Sequence, residues 1–155
     1  MNRLILSLFS GVGAALAIGI LSFADSVQSD IVLLMAPFGA TAVLVFGVPD
    51  SPLAQPKNVI LGHLITAFIG VCFVEFIGVT PLSLSIATGL AVSAMLFTKT
   101  THPPAGANPV LIMLAGQSWP FLISPVLLGA VILVVVGKMV SRVRASSMFT
   151  ENSTK

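Results

Sequence analysis

Charge is what this sequence has least of. Only 8% of its 155 residues are Asp, Glu, Lys or Arg, against about 25% in a soluble domain, whereas 56% are hydrophobic. A chain this short cannot bury so much apolar surface in water, which makes a lipid bilayer its solvent. The net charge of +2 is small and no basic run interleaves with aromatics, so nucleic acid is excluded as a partner. Cys72 is the single cysteine, and no intrachain disulfide can form. His63 and His102 lie far apart in sequence, and with one cysteine and an isolated Glu75 they offer no zinc-ligand spacing. Neither a nucleophile elbow nor a Gly-rich phosphate loop occurs. No catalytic residue, metal or cofactor is therefore expected, and the chain does not read as an enzyme.

Long apolar runs are what the sequence does have. Residues 4–23, 58–77, 82–98 and 121–140 each approach the ~20 apolar residues that a helix needs to cross hydrocarbon. Two less regular stretches, 31–48 and 99–116, carry prolines inside apolar surroundings. The first run also has the flanks of a secretory signal, but it is longer than the usual ~7–15 residues of a signal core. Small residues recur every four positions: Ser7, Gly11, Ala15 and Gly19, then Gly62, Thr66 and Gly70, then Ser85, Gly89 and Ser93. Such stripes let helix backbones approach closely and favour a tight bundle or a homo-oligomer.

The sequence also matches itself. With a shift of 67 and no gap, residues 37–70 overlay 104–137 with eleven identities in 34 positions, three of them glycines: Gly39/Gly106, Gly62/Gly129 and Gly70/Gly137. The shared signature reads "PFGATAVL" at 37–44 and "PAGANPVL" at 104–111. Each copy lies between two apolar runs, so the repeated unit is helix, interrupted segment, helix. Repeat 1 spans residues 1–78 and repeat 2 spans 79–143, with a cytoplasmic tail at 144–155. If the interrupted segments re-enter, Lys57 and Lys99 move to the outer side; if they cross, every Lys and Arg falls on the cytoplasmic side or at that interface, with Asp25 and Asp30 outside. The positive-inside rule favours crossing, and a three-segment repeat that crosses must be inverted. The expected fold is an all-α polytopic membrane protein of two inverted repeats, three segments each.

Thr41 and Asn108 occupy the same repeat position, and both are good N-cap residues. Half-helices from about 42 to 48 and 109 to 116 would then start near the midplane, with Pro109 at a first helical position. Their positive ends and free N–H groups would meet a small anion from opposite sides, while Gly39 and Gly106 would supply unusual backbone angles and close approach. Carboxylates are scarce at this depth, which argues against a cation site. His102 heads the second interruption and can donate or titrate; a bond to a backbone carbonyl is the alternative. His63 is expected at a vestibule, and Glu75 as a solvated group near a helix end. The candidate substrate-binding set is Phe38, Gly39, Ala40, Thr41, His63, His102, Pro104, Ala105, Gly106, Ala107 and Asn108.

"THPPAGA" at 101–107 and "FGATAVLVFGVPDSPLAQPKNVILGH" at 38–63 resemble the two hallmark stretches of the HPP family of integral membrane proteins, named for its His-Pro-Pro motif. The resemblance covers about half the chain. It marks Gly39, Ala40, Gln55, Pro56, Asn58, Gly62 and His63, then His102, Pro103, Pro104, Gly106 and Ala107. Lys57 stands where an arginine is expected, which keeps the charge and loses bidentate geometry. The resemblance implies four membrane helices and, from members in cyanobacteria and chloroplasts, nitrite transport. The resulting expectation is a transporter or channel for a small monovalent anion, nitrite first, in a multi-pass bacterial or cyanobacterial inner membrane with both termini cytoplasmic. A membrane subunit or assembly factor that transports nothing is the alternative.

Overall fold

The computed structural model describes residues 3–27 and 32–153, with side chains to residue 146. Asp30, Lys155 and the start of the 31–48 stretch lie outside the described residues. Six helices follow in order: α1 (Arg3–Val27), α2 (Pro37–Ala42), α3 (Pro56–Phe76), α4 (Pro81–Phe97), α5 (Asn108–Ala115) and α6 (Leu128–Ser153). No strand occurs among the described residues.

Proline decides where several of them begin. Pro37, Pro56 and Pro81 each occupy the first turn of a helix, where the missing N–H is no loss and the fixed φ suits the helix. Thr80 adds a capping box before α4, exchanging hydrogen bonds with Ser83. At the other end of α5, Gly116 stops the helix in the left-handed conformation, φ 60°, which glycine adopts without penalty.

Two elements differ from the sequence expectation. The run expected at 121–140 begins irregularly, with a tight 3₁₀ turn at Trp119–Leu122 and a wide, kinked turn at Ile123–Leu127 before α6. Pro120 and Pro125 prevent a regular helix there. Helix α6 itself runs further than the expected span, through the residues expected as a cytoplasmic tail, to Ser153. By length and composition three helices can cross a membrane, Arg3–Val27, Pro56–Phe76 and Trp119–Ser146, and α4 is a shorter apolar helix.

Contacts give the direction of each segment. The first broken segment, 32–47, comprises an extended run, α2 and a wide turn at Val43–Gly47; the second, 99–115, comprises an extended run, a 3₁₀ turn at Pro103–Ala107 and α5. Along α3, Asn58 donates to the Thr101 carbonyl, Gly62 lies against Thr100 and His102, and Gly70 against Pro109 and Ile112. Trp119 then packs its ring on Phe68 and Phe76. The second broken segment therefore runs parallel to α3 over most of its length. The first runs parallel to α6 in the same manner: Gly129 lies against Leu33 and Phe38, and Gly137 against Val45. Helix α1 opposes the first segment, with the Asp25 carboxylate accepting from the Leu33 and Leu34 amides and Gly13 against Phe46. Helix α4 opposes α3, pairing Ala87 with Phe73 and Phe97 with Phe68.

Six segments thus alternate in direction. Arg3, Lys57, Lys99, Lys138, Arg142 and Arg144 fall toward one end, whereas Asp25 and Glu75 fall at the other. Neither broken segment turns back on itself.

The glycine contacts carry a further regularity. Each pair on one side maps onto its counterpart by the shift of 67 with the halves exchanged: Gly62 with Thr100 and Ala105 matches Gly129 with Leu33 and Phe38, and Gly70 with Ile112 matches Gly137 with Val45. The last helix of each half, α3 or α6, holds the broken segment of the other half.

Candidate functional site

Where the two broken segments meet at α3, five polar side chains come together. Thr41, His63, Thr66, His102 and Asn108 are all buried to within 0% exposure. Leaving such groups unpaired in an apolar interior costs several kcal/mol, roughly 2–7 each, so their partners can be traced one by one.

His102 Nδ1 lies 2.8 Å from the Leu53 carbonyl, an acceptor only. That nitrogen carries the proton, and Nε2 accepts. The Thr41 hydroxyl lies 3.0 Å from His102 Nε2 and donates to it. Having given its one hydrogen, Thr41 Oγ1 accepts from His63 Nε2 at 2.8 Å. His63 Nδ1 then accepts from the Asn108 amide at 3.0 Å. Thr66 donates to the Gly62 carbonyl at 2.9 Å and accepts from Asn108 Nδ2 at 3.0 Å. This assignment satisfies every ring nitrogen and leaves one atom over: Asn108 Oδ1 is buried and has no partner.

His63 is thereby held between the two repeat-equivalent residues, Thr41 on one ring nitrogen and Asn108 on the other. Phe38 closes the site edge-on, its ring 5.3 Å from that of His63, and the two imidazoles stand 5.0 Å apart. No Asp, Glu, Lys or Arg side chain bonds to these five among the described residues. The site is polar and carries no fixed charge.

In front of the cluster lies a groove of about 870 Å³. Its lining is made of five repeat-related pairs, Ala36/Pro103, Pro37/Pro104, Ala40/Ala107, Val43/Val110 and Leu44/Leu111. The groove is almost wholly apolar, and the hydrogen-bonding chemistry lies behind its floor, one residue on from Ala40 and Ala107.

The candidate residues divide accordingly. Phe38, Thr41, His63, His102, Ala105 and Asn108 are buried together, whereas Ala40, Pro104 and Ala107 line the groove. Gly39 faces a separate pocket against α1, and Gly106 meets nothing within 4 Å of an added Cβ. His63, expected at a vestibule, is wholly enclosed. Thr66 was missed, although it sits one turn after His63 on the same helix face.

Three expectations about the helix starts are corrected. Thr41 is no N-cap: α2 begins four residues earlier, at Pro37, and from inside the helix the Thr41 hydroxyl also lies 3.2 Å from the Pro37 carbonyl, a longer contact than the one to His102 that takes its hydrogen. Asn108 makes no cap bond either, because helical turns already begin at Pro103 and its amide reaches across to α3 instead. The amides at both starts are spent: Phe38 and Gly39 donate to Met35 and Ala36, Ala105 donates to His102, and the prolines have none to offer. Anion capture by two half-helix N-termini is therefore not what this geometry provides. Gly39 and Gly106 also have ordinary backbone angles; positive φ among glycines occurs at Gly78 and Gly116 in the described residues.

Long apolar helices around a buried, uncharged polar cluster define a polytopic helical membrane protein with an internal polar centre. The family described as HPP, transmembrane region, matches residues 2–149, and the chain belongs to it. It is similar to two transmembrane proteins of Dictyostelium discoideum. One is 40% identical over 119 residues, covering 74% of this chain and 37% of the relative. The other is 34% identical over 144 residues, covering 88% and 50%. The chain thus spans half or less of the length of these curated relatives. No solved structure matches it.

Proposed function

We propose that the chain is a membrane transporter or channel for a small monovalent anion, with Thr41, His63, His102 and Asn108 as its point of recognition. The observation that carries this reading is the buried polar cluster at the meeting of the two broken segments. A chain so poor in polar residues gains little stability from placing five of them at one interior point, and Asn108 Oδ1 remains unpaired there. Intramembrane polar groups of this kind mark solute pathways.

Alternating segment directions and exchanged packing support an inverted pair of three-segment repeats, an arrangement that puts binding sites at the repeat interface near the midplane. Released from one another, the Thr41 hydroxyl, the His63 ring and the Asn108 amide become neutral donors for a small oxyanion, at a lower desolvation cost than a buried lysine would carry. Nitrite is the anion that the family resemblance nominates. The basic end is assigned to the cytoplasm, with both termini on that side, and small-residue stripes on α1 and α4 favour association of several copies.

The decisive experiment is uptake into proteoliposomes of the purified chain, comparing nitrite, nitrate, formate and chloride against empty vesicles. Selective flux of one anion is expected, and no flux above the empty vesicles refutes transport. One observation favours a second reading, a membrane subunit that transports nothing: the cluster's donors are mutually paired and the groove beside it is apolar. In that case Asn108→Leu would leave the assembly of a partner complex impaired and no flux to lose.

A further inference from the structure

Resting on the transport reading, we infer that His63, Thr41 and His102 form a proton relay across the repeat interface, so that the anion crosses together with a proton.

The three groups are joined in series, with 2.8 Å from His63 Nε2 to Thr41 Oγ1 and 3.0 Å from Thr41 Oγ1 to His102 Nε2. Each link is within ordinary hydrogen-bond length. A hydroxyl between two imidazoles can pass a proton because it donates on one side while accepting on the other. The step balances as follows. A proton from the aqueous phase, or from the acid form of the anion, adds to His63 Nδ1. The His63 Nε2–H bond breaks as a Thr41 O–H bond forms, and the original Thr41 O–H bond breaks as a His102 Nε2–H bond forms. One positive charge has then moved from His63 to His102, and no other bond has changed. The His102 Nδ1–H bond, directed at the Leu53 carbonyl, then breaks and its proton passes to water, leaving both rings neutral in the opposite tautomer.

Asn108 fits both states. Before the step its Nδ2 donates to His63 Nδ1. After it, Nδ1 carries hydrogen and gives up that contact, while Asn108 Nδ2 keeps the His63 carbonyl and Thr66 Oγ1 as acceptors for its two hydrogens. Surroundings sharpen the assignment. From the first broken segment His63 faces Phe38 and Thr41, and from the second Asn108 and His102; His102 faces Thr41 and, from the loop before α3, the Leu53 carbonyl. The titratable group facing each imidazole is the other imidazole. No carboxylate is there to trap the proton, so the charge can move on.

Proteoliposomes with a pH-sensitive dye inside provide the test, with nitrite and then formate as probe. Wild type is expected to carry a proton with each anion, and an inward proton gradient should speed uptake at least tenfold. Thr41→Val keeps the shape and removes the bridge; it should lower proton movement at least tenfold, while Thr41→Ser restores it. Anion flux with no lumenal pH change in wild type, or unaltered proton movement in Thr41→Val, overturns the relay and leaves transport standing. Absence of any flux overturns both. Nitrogen-15 NMR of histidine-labelled protein in lipid reads the relay without transport: His102 should carry Nδ1–H and His63 Nε2–H, and Thr41→Val should disturb both. Two rings indifferent to Thr41 would refute the series connection.

Discussion

Gly129→Ala tests the packing logic of the fold most directly. A Cβ at this position would lie 2.1 Å from Phe38 Cε2 and 2.8 Å from the Leu33 carbonyl oxygen. The ring must retreat by more than an ångström to restore contact, yet Phe38 is fully buried and backed by His63. Overpacking of this sort costs about 1–3 kcal/mol, and the better helix propensity of alanine returns about 0.5–1. A net loss of about 1–2 kcal/mol corresponds to about a 5- to 30-fold change in the unfolding equilibrium. Gly62→Ala should lose a similar amount, because its Cβ would lie 2.9 Å from both the Thr100 carbonyl and His102 Cβ. Gly11→Ala and Gly89→Ala, in open space on α1 and α4, should lose nothing. The assay is helical circular dichroism through a denaturing-detergent titration of the purified protein. If Gly129→Ala unfolds with wild type, or if the two controls lose as much as the tight pair, the exchanged packing of helix on broken segment is wrong.

Other outcomes follow from single features. Gly116→Ala forces a non-glycine residue to φ 60° and should cost about 1–2 kcal/mol in the same titration; an unchanged midpoint would show that α5 does not end there. Thr80→Ala removes the capping box of α4 and should cost about 1 kcal/mol, whereas Thr80→Ser should restore most of it. In a Cys72→Ser background, cysteines at Lys57 and Lys99 should react with an impermeant thiol reagent from one side of the membrane, and cysteines at Asp25 and Glu75 from the other. Glu75 and Lys57 labelled from the same face would refute the alternating segments.

The apolar runs were legible because hydrocarbon thickness imposes one length. Residues 58–77 and 82–98 became α3 and α4 within a residue or two. The helix starts were misjudged because Thr41 and Asn108 are good caps in isolation, whereas Pro37 and Pro103 had already begun the turns upstream. A proline signal outranked a capping signal. The repeat was read through its identities, and six of the eleven identical pairs proved to be packing glycines or groove lining. The polar centre lies in the differences: His63 has Ala130 as its counterpart, Thr66 has Leu133, and His102 has Met35. A search for polar residues whose repeat partner is apolar would have found Thr66. Which ring nitrogen faces which neighbour needed three dimensions.

His63 stands at the meeting of two like halves, bonded to both members of one equivalent pair. An imidazole at the counterpart position would reach for the same two groups and claim the same space. Only one can be seated, and the counterpart position holds the fully buried Ala130. Two identical half-chains could therefore never assemble this centre, since each would bring its own ring. Joining the halves in one polypeptide is what lets them become unlike, and the single histidine records that divergence; Ala130→His would crowd the centre rather than complete it.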